Sequence, residues 1–320
     1  MRFSSVLRSA ATFILLAAFL LFGNSIASAY QQRSVENGHG KPIKIAIWLP
    51  DTVNPGTTKI HPLVLISHGN GGGLAAHSDT AEALVSAGYI VVAIAHPGDT
   101  KGDDRDPPRK WLIERIGHVT RVLDYLQSEW EGRTTIDPSR IGAFGFSAGG
   151  FTMLVASGAS PSAALAQEYC RKAPAEFACR LKLDAELSRL GGEDAGLYRW
   201  PHDDRIKAAV IAAPALGFSF DRHGLAKLQI SIQLWAAEKD DRAPVSTNTA
   251  PLLERLPTSP EYHLVRGADH FAFSRPCEPG DENRRSCKGP AGFDRAAFHE
   301  QFNRKVVEFF NRALHVAPKQ

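Results

Sequence analysis

A succession of short apolar runs, separated by segments of helical periodicity, constrains this chain more than any other feature. The runs are Ile43–Leu49, Leu63–Ser67, Tyr89–Ala95, Ile141–Phe144, Ala208–Ala213, Ile230–Ala236 and Tyr262–Val265. Several are nearly continuous in Val, Ile, Leu and Ala. A half-solvated strand alternates apolar and polar residues; a strand covered on both faces of a parallel sheet does not. Helix candidates lie between the runs. Ser78 or Asp79 caps one that runs to Ser86, with Gly88 ending it. Pro108 starts a longer one through Trp130, with Leu112, Ile116, Val119, Val122, Leu123 and Leu126 at helical spacing. Two more span Asn248–Leu256 and Asp294–Leu314. Such alternation predicts an α/β domain on a doubly wound, mostly parallel sheet.

One segment, roughly 157–205, interrupts the alternation. It holds two helix-like pieces, Ala163–Arg171 and Ala175–Leu190, and a Gly191-Gly192 turn. It is too small for a second domain. Two readings stand: a surface helical hairpin, or a small helical cap over the C-terminal edge of the sheet, where open α/β sheets place their ligand sites. The cap is the expectation taken forward.

The chain opens with the marks of a secretory leader: Arg2 and Arg8, an apolar run from Ala10 to Phe22, and an Ala27-Ser28-Ala29 cleavage site before Tyr30. The run falls short of the ~20 apolar residues of a spanning helix. Residues 1–29 are therefore set apart as a signal peptide, and 30–320 are expected to form one exported domain, periplasmic or extracellular, without stable membrane insertion. Its charges nearly balance, and no basic run with interleaved aromatics points to nucleic acid. The oligomeric state is left open.

Cys170, Cys179, Cys277 and Cys287 all fall in the exported part. Local pairing, Cys170–Cys179 and Cys277–Cys287, is the simplest of the possible connectivities, each closing a polar loop in an oxidising compartment. No cysteine or histidine cluster has zinc spacing, so neither metal nor cofactor is expected.

The chemistry-bearing motif is Gly145-Phe146-Ser147-Ala148-Gly149, set between the Ile141–Phe144 run and the helix-compatible run Gly150–Ala156. A serine on so sharp a strand-to-helix turn projects above the sheet. Small residues at Gly145 and Gly149 let strand and helix close up, and the helix start leaves backbone N–H groups for an oxyanion. A nucleophilic serine needs a base, and the base an orienting carboxylate. Ile230–Ala236 is followed by Glu238-Lys239-Asp240-Asp241-Arg242-Ala243-Pro244-Val245, where either aspartate leaves the strand end. Tyr262–Val265 is followed by Gly267-Ala268-Asp269-His270-Phe271, which presents His270. His223, His263, His299 and His315 lie elsewhere. Leu63–Ser67 is followed by His68-Gly69-Asn70-Gly71-Gly72-Gly73, whose backbone is suited to an oxyanion: the Asn70 N–H is the first choice, Gly71 the next, with the Ala148 N–H as second donor. A dinucleotide loop is disfavoured, because Leu74 stands where the third glycine belongs. Phe146 and Trp235 are candidates for the substrate pocket, and His96-Pro97-Gly98-Asp99 reads as a structural turn near the same edge.

Ser67-His68-Gly69-Asn70-Gly71-Gly72, the Ser147 pentapeptide, the acid loop and Gly267–Phe271 occur in the order found in α/β-hydrolases. Over most of residues 30–320, including the cysteine-bearing insert and Gly292–Phe298, the chain resembles the dienelactone-hydrolase-like branch that includes platelet-activating-factor acetylhydrolases and secreted bacterial esterases. The related secreted polyester and lipase-like hydrolases carry the acid in a loop of form E-x-D-x-x-A-P, which implies Asp240 rather than Asp241. The resemblance implies an α/β-hydrolase fold and ester hydrolysis through a Ser147–Asp240–His270 triad and an acyl-enzyme. The substrates implied are short-chain, phospholipid-like or polymeric esters. Strict dienelactone hydrolases use a cysteine nucleophile, so dienelactone itself is not expected. A serine peptidase on the same fold and a catalytically silent binding scaffold are the competing readings.

Overall fold

The apolar runs pair into one eight-stranded sheet, in the order β1-β2-β4-β3-β5-β6-β7-β8. Its strands are β1 (Gln31–Val35), β2 (Ile43–Trp48), β3 (His61–Ser67), β4 (Ile90–Ala95), β5 (Ile136–Phe146), β6 (Ile206–Ala212), β7 (Ser231–Ala237) and β8 (Glu261–Val265). β1 and β2 pair antiparallel, as do β2 and β4; every other neighbouring pair is parallel. The computed structural model describes residues 30–38, 40–53, 58–103, 111–189, 200–281 and 283–317. The leader at 1–29, Pro108 and the Gly191-Gly192 turn lie outside the described residues.

The period of a strand explains the two-layered core. Along β3, Leu63 and Leu65 join one apolar cluster while Val64 and Ile66 join the other. The first cluster is completed by α2 (Trp111–Ser128) and α3 (Ala148–Ala156), through Leu112, Ile116, Phe151 and Leu154. The second is completed by α1 (Ser78–Ser86) and α9 (Arg295–Ala313), through Leu84, Phe302 and Phe310. Each such side chain contributes about 1.5–3 kcal/mol when fully buried. With both faces covered, an apolar strand without polar alternation is the stable solution. Connections leave β3 and β5 on opposite sides of the sheet, so the C-terminal ends of β3, β5, β7 and β8 are the ones positioned to share a crevice.

Several details depart from the sequence expectation. β1 is an additional edge strand; its polar sequence and length of five residues carry no apolar run. α1 begins at Ser78 as expected, but neither Ser78 nor Asp79 caps it: His77 is the N-cap residue and makes no side-chain cap bond. Asp79 instead accepts from His299 Nδ1 (2.6 Å) and Asn303 Nδ2 (2.8 Å). The helix expected over Asn248–Leu256 is a five-residue π-type turn at Val245–Thr249 running into α8 (Ala250–Arg255).

Within the insert, α4 (Ala163–Lys172) matches expectation. The piece expected over Ala175–Leu190 is instead two short helices, α5 (Phe177–Arg180) and α6 (Leu183–Ser188), broken at Lys182 in the left-handed conformation. Cys170–Cys179 ties α4 to α5, and Cys277–Cys287 closes the loop before α9. α6 packs on the start of α2, where Glu186 Oε1 accepts from the backbone N–H groups of Leu112 (2.7 Å) and Ile113 (3.1 Å). A carboxylate at the first turn satisfies N–H groups that have no partner within the helix. Burial nonetheless pushes the Glu186 carboxyl up to about 7, against the pull of those two N–H groups. One further short helix, α7 (Arg222–Leu225), precedes β7. Among the described residues no helix is long and apolar enough to cross a membrane.

Candidate active site

Ser147 sits between β5 and α3 with φ 56° and ψ −117°, a left-handed backbone that costs a non-glycine residue about 1–3 kcal/mol. The surroundings enforce it. The Ser147 N–H donates to Ala212 O (2.9 Å), and its carbonyl accepts from Phe151 N and Ala215 N, both at 3.1 Å. The flanking glycines are required by proximity. A Cβ on Gly145 would lie 2.2 Å from Gly149 O, and one on Gly149 would lie 2.0 Å from Ser67 O. The strand, the turn and the helix therefore close on one another only with these residues, and the serine hydroxyl is left at the sheet edge.

The loops after β7 and β8 meet this hydroxyl. His270 Nε2 lies 2.9 Å from Ser147 Oγ, and His270 Nδ1 lies 2.7 Å from Asp240 Oδ2. A carboxylate only accepts, so Nδ1 carries the proton and donates to Asp240; Nε2 is then free to accept the serine hydroxyl proton. Asp240 Oδ1 accepts from the backbone N–H groups of Arg242 (2.9 Å) and Ala243 (2.8 Å), which fix the carboxylate plane. Asp241 is exposed, while Ser147, Asp240 and His270 are 8%, 7% and 4% exposed. The two loops are stitched to each other: Lys239 N donates to Ala268 O (2.8 Å) and Gly267 N to Glu238 Oε2 (2.8 Å). From behind, His299 Nε2 donates to Ala272 O (2.7 Å) in the turn that carries His270. His299 thus ties α1 and the His270 turn to α9.

The loop after β3 is held by a buried ion pair that motif reading missed. Arg115 and Asp99, at 0% and 2% side-chain exposure, pair at 2.8 Å. Asp99 Oδ1 accepts from Asn70 Nδ2 and from the Gly71 N–H, each at 2.7 Å. Arg115 donates to His68 O (2.7 Å) and Gly69 O (3.3 Å). Burial pushes the Asp99 carboxyl up and the Arg115 guanidinium down, each opposed by the charge of the other. The Gly71 N–H is consequently committed to Asp99. The Asn70 N–H has no hydrogen-bond partner among the described residues, and the Ala148 N–H, first in its helix, has no intrahelical acceptor. A Cβ on Gly69 would lie 2.9 Å from the Phe146 ring and 3.3 Å from Ser147 Cβ, so this loop passes directly over the serine.

A cavity of about 1300 Å³ opens beside the loop, with Gly69, Asn70, Phe146 and Phe271 in its wall. The Phe146 ring lies 4.9 Å from that of His270. Trp235, expected in the pocket, is corrected to a core residue: it stacks on His263 (4.1 Å), meets Phe302 edge-on (4.9 Å) and donates its indole N–H to Gln233 Oε1 (2.9 Å). A strand run apolar on both faces does not tell which of them a given residue joins. The described part of the insert adds nothing to the cavity wall. It reaches the site through Phe177, whose ring lies 4.4 Å from the Arg242 guanidinium, which also lies 4.8 Å from the Phe271 ring. The pairings of Asp99, Arg115 and His299 carry no local sequence signal, because their partners are far away in the chain.

The sheet order, with a strained serine between β5 and α3 and loops after β7 and β8 converging on it, defines an α/β-hydrolase fold. Among solved structures, Thermogutta terrifontis esterase 2 phosphorylated by paraoxon is similar at 14% identity and a TM-score of 0.58, covering 91% of this chain and 96% of that one. A Mycobacterium tuberculosis puromycin-hydrolyzing peptidase is similar at 16% identity and a TM-score of 0.56, covering 92% of this chain but 40% of that one. A Bacteroides ovatus protein described as a dipeptidyl aminopeptidase IV is similar at 15% identity and a TM-score of 0.56, covering 89% and 36%. The chain thus spans nearly all of the esterase but well under half of the two peptidases. No family model and no curated protein matches the chain.

Proposed function

We propose that this protein is a serine carboxylic-ester hydrolase that works through an acyl-enzyme. The observation that carries the reading is the continuous relay from Asp240 through His270 to Ser147, at 2.7 and 2.9 Å, ending on a serine in a strained turn. Ser147 Oγ attacks the ester carbonyl as His270 Nε2 takes its proton. The Asn70 and Ala148 N–H groups hold the oxyanion, and removing one such donor typically costs about 10²–10³ in turnover. The imidazolium, stabilised by Asp240, passes the proton to the leaving alcohol, and water then releases the acid by the same route. The motif order favours the dienelactone-hydrolase-like and platelet-activating-factor-acetylhydrolase-like branch, acting on short-chain, phospholipid-like or polymeric esters. In this reading residues 1–29 are removed on export, residues 30–320 form a single domain whose insert (about 157–205) serves as its cap, and the two disulfides suit an oxidising compartment. The test is hydrolysis of 4-nitrophenyl esters by the purified protein and by Ser147→Ala. Activity confined to the wild type supports the reading, and equal rates would sink it. Cleavage of peptides but not esters would favour a peptidase on the same fold.

A further inference from the structure

The cavity beside the site holds a charge that ester hydrolysis as such does not use. Among its described wall residues seven are Lys or Arg and two are Asp. Both acids are already engaged: Asp103 pairs with Lys41, and Asp281 is shared by Arg284 at 3.0 Å and Arg275 at 3.7 Å. Lys44, Lys101, Arg285 and Arg295 have no carboxylate at ion-pair distance among the described residues. Cations gathered around a concave space repel one another and raise a positive potential in it, which an anion relieves.

Three features show that this charge is built into the wall. Arg285 stands on the loop closed by Cys277–Cys287, so its backbone is anchored beside the cavity. Arg295 is the first residue of α9, the end where the helix dipole disfavours a cation; it is half-buried, with Nη1 3.4 Å from Cys277 Sγ, and burial lowers its pKa. Arg242, with its guanidinium 4.4 Å from the Phe177 ring and 4.8 Å from the Phe271 ring, has its pKa lowered first by burial and then by the charge of Arg285, so the positive charge of the wall is felt at the edge of the site. Phe271, next to His270, touches Arg242 and also lines the cavity wall.

We propose that the cavity receives an anionic group, carboxylate or phosphate, borne by the ester whose carbonyl is presented to Ser147, and that Lys101, Arg285 and Arg295 recognise it. The inference rests on the esterase reading and narrows its substrate class. The planar guanidinium fork suits either oxyanion. The side chains of Lys101 and Arg285 are exposed, so replacing them leaves the core intact.

The experiment compares 4-nitrophenyl hydrogen adipate with 4-nitrophenyl hexanoate, esters of equal chain length that differ in a terminal carboxylate. The wild type is expected to prefer the adipate by about tenfold in kcat/KM at low salt, mainly through KM. The ratio should shrink as salt rises from ~0.05 to ~0.5 M. Arg285→Gln and Lys101→Gln should each lower the ratio, while Arg285→Lys should retain most of it. Hexanoylglycerol 3-phosphate against neutral hexanoylglycerol gives the phosphate arm, and the larger gain identifies the preferred anion. Equal kcat/KM within both pairs overturns the proposal, as does a preference that both Gln variants leave untouched. If the wild type hydrolyses none of these esters, the esterase reading has failed on its own. Titration of monomethyl adipate and methyl hexanoate into Ser147→Ala then decides the anion site: tighter binding of the anion supports it, and equal binding overturns it.

Discussion

Ser147 is served from two sides that are built differently. On the histidine side, Asp240 and His270 come from two consecutive strand-end loops, bonded to each other and 30 residues apart in the chain. On the opposite side, the loop after β3 takes its charged partners from distant segments. It is held by Asp99 from the turn after β4 and Arg115 from α2, 28 and 47 residues from the groups they bind. In the proposed mechanism the histidine side is a relay whose members take part in proton movement. The other side is a rigid frame whose charged members stay away from the reacting atoms and act only by fixing where Asn70 N points. On that proposal chemistry and positioning are separated across one serine, and the two sides should fail in different ways.

The sharpest way to break this comparison is within the acid loop. Asp240→Asn keeps the shape but presents the wrong hydrogen-bonding partner to His270 Nδ1, and turnover is expected to fall by about 10⁴ with little change in stability. Asp241→Asn, on an exposed side chain, should be near wild type. Steady-state kinetics of the two variants decides it; the reverse pattern would move the orienting role one residue along.

On the frame side the loss should appear first in stability. Asp99→Asn leaves the Arg115 guanidinium buried without its counter-charge, a change that costs about 3–5 kcal/mol. Urea unfolding measures this directly. In the fraction that remains folded, kcat should fall while the pH profile of the relay is retained, because no titrating member of it has been touched. A variant as stable and as active as the wild type would contradict the frame.

A smaller and pH-dependent effect is expected where the insert meets α2. Glu186 has its carboxyl raised to about 7 by burial, above the ordinary 4.5. The folded state therefore holds this proton more tightly than the unfolded state. The contribution to stability is present in full below pH 4.5 and is lost as pH rises through about 7. Buried histidines act in the opposite sense: His77, lowered to about 4 by burial, and His118, lowered to about 3 by burial and then by Arg115, both cost stability as pH falls. Comparing Glu186→Gln with the wild type isolates the carboxyl from them. Between about pH 4.5 and 8 the variant should gain on the wild type by on the order of 3 kcal/mol. A difference that does not change with pH would mean that the carboxyl is not desolvated by the insert.

The same contrast explains what could be read from the chain. The apolar strands were legible because covering both faces removes polar alternation, and the order of the strand-end motifs followed from local spacing. β1 was not legible, since an exposed antiparallel edge of five residues needs no apolar run. The break at Lys182 was hidden because α5 and α6 are set by packing and the Cys170–Cys179 link rather than by a glycine or proline. Asp99 read as part of a turn, and the helix that carries Arg115 was recognised by its apolar residues alone. Asp79 read as a helix cap, whereas its bond runs to His299, 220 residues away. Long-range buried pairs leave no periodicity or local spacing to detect, so the frame around the serine became visible only with the fold.

The central claim is that Ser147 carries the acyl group. Rapid mixing with a 4-nitrophenyl ester, acid quench and peptide mass measurement tests it most directly. The account predicts one acyl adduct on the peptide containing Ser147, formed at the rate of the nitrophenol burst and absent in Ser147→Ala. Hydrolysis that proceeds with no adduct there, or with the adduct on another residue, would contradict it.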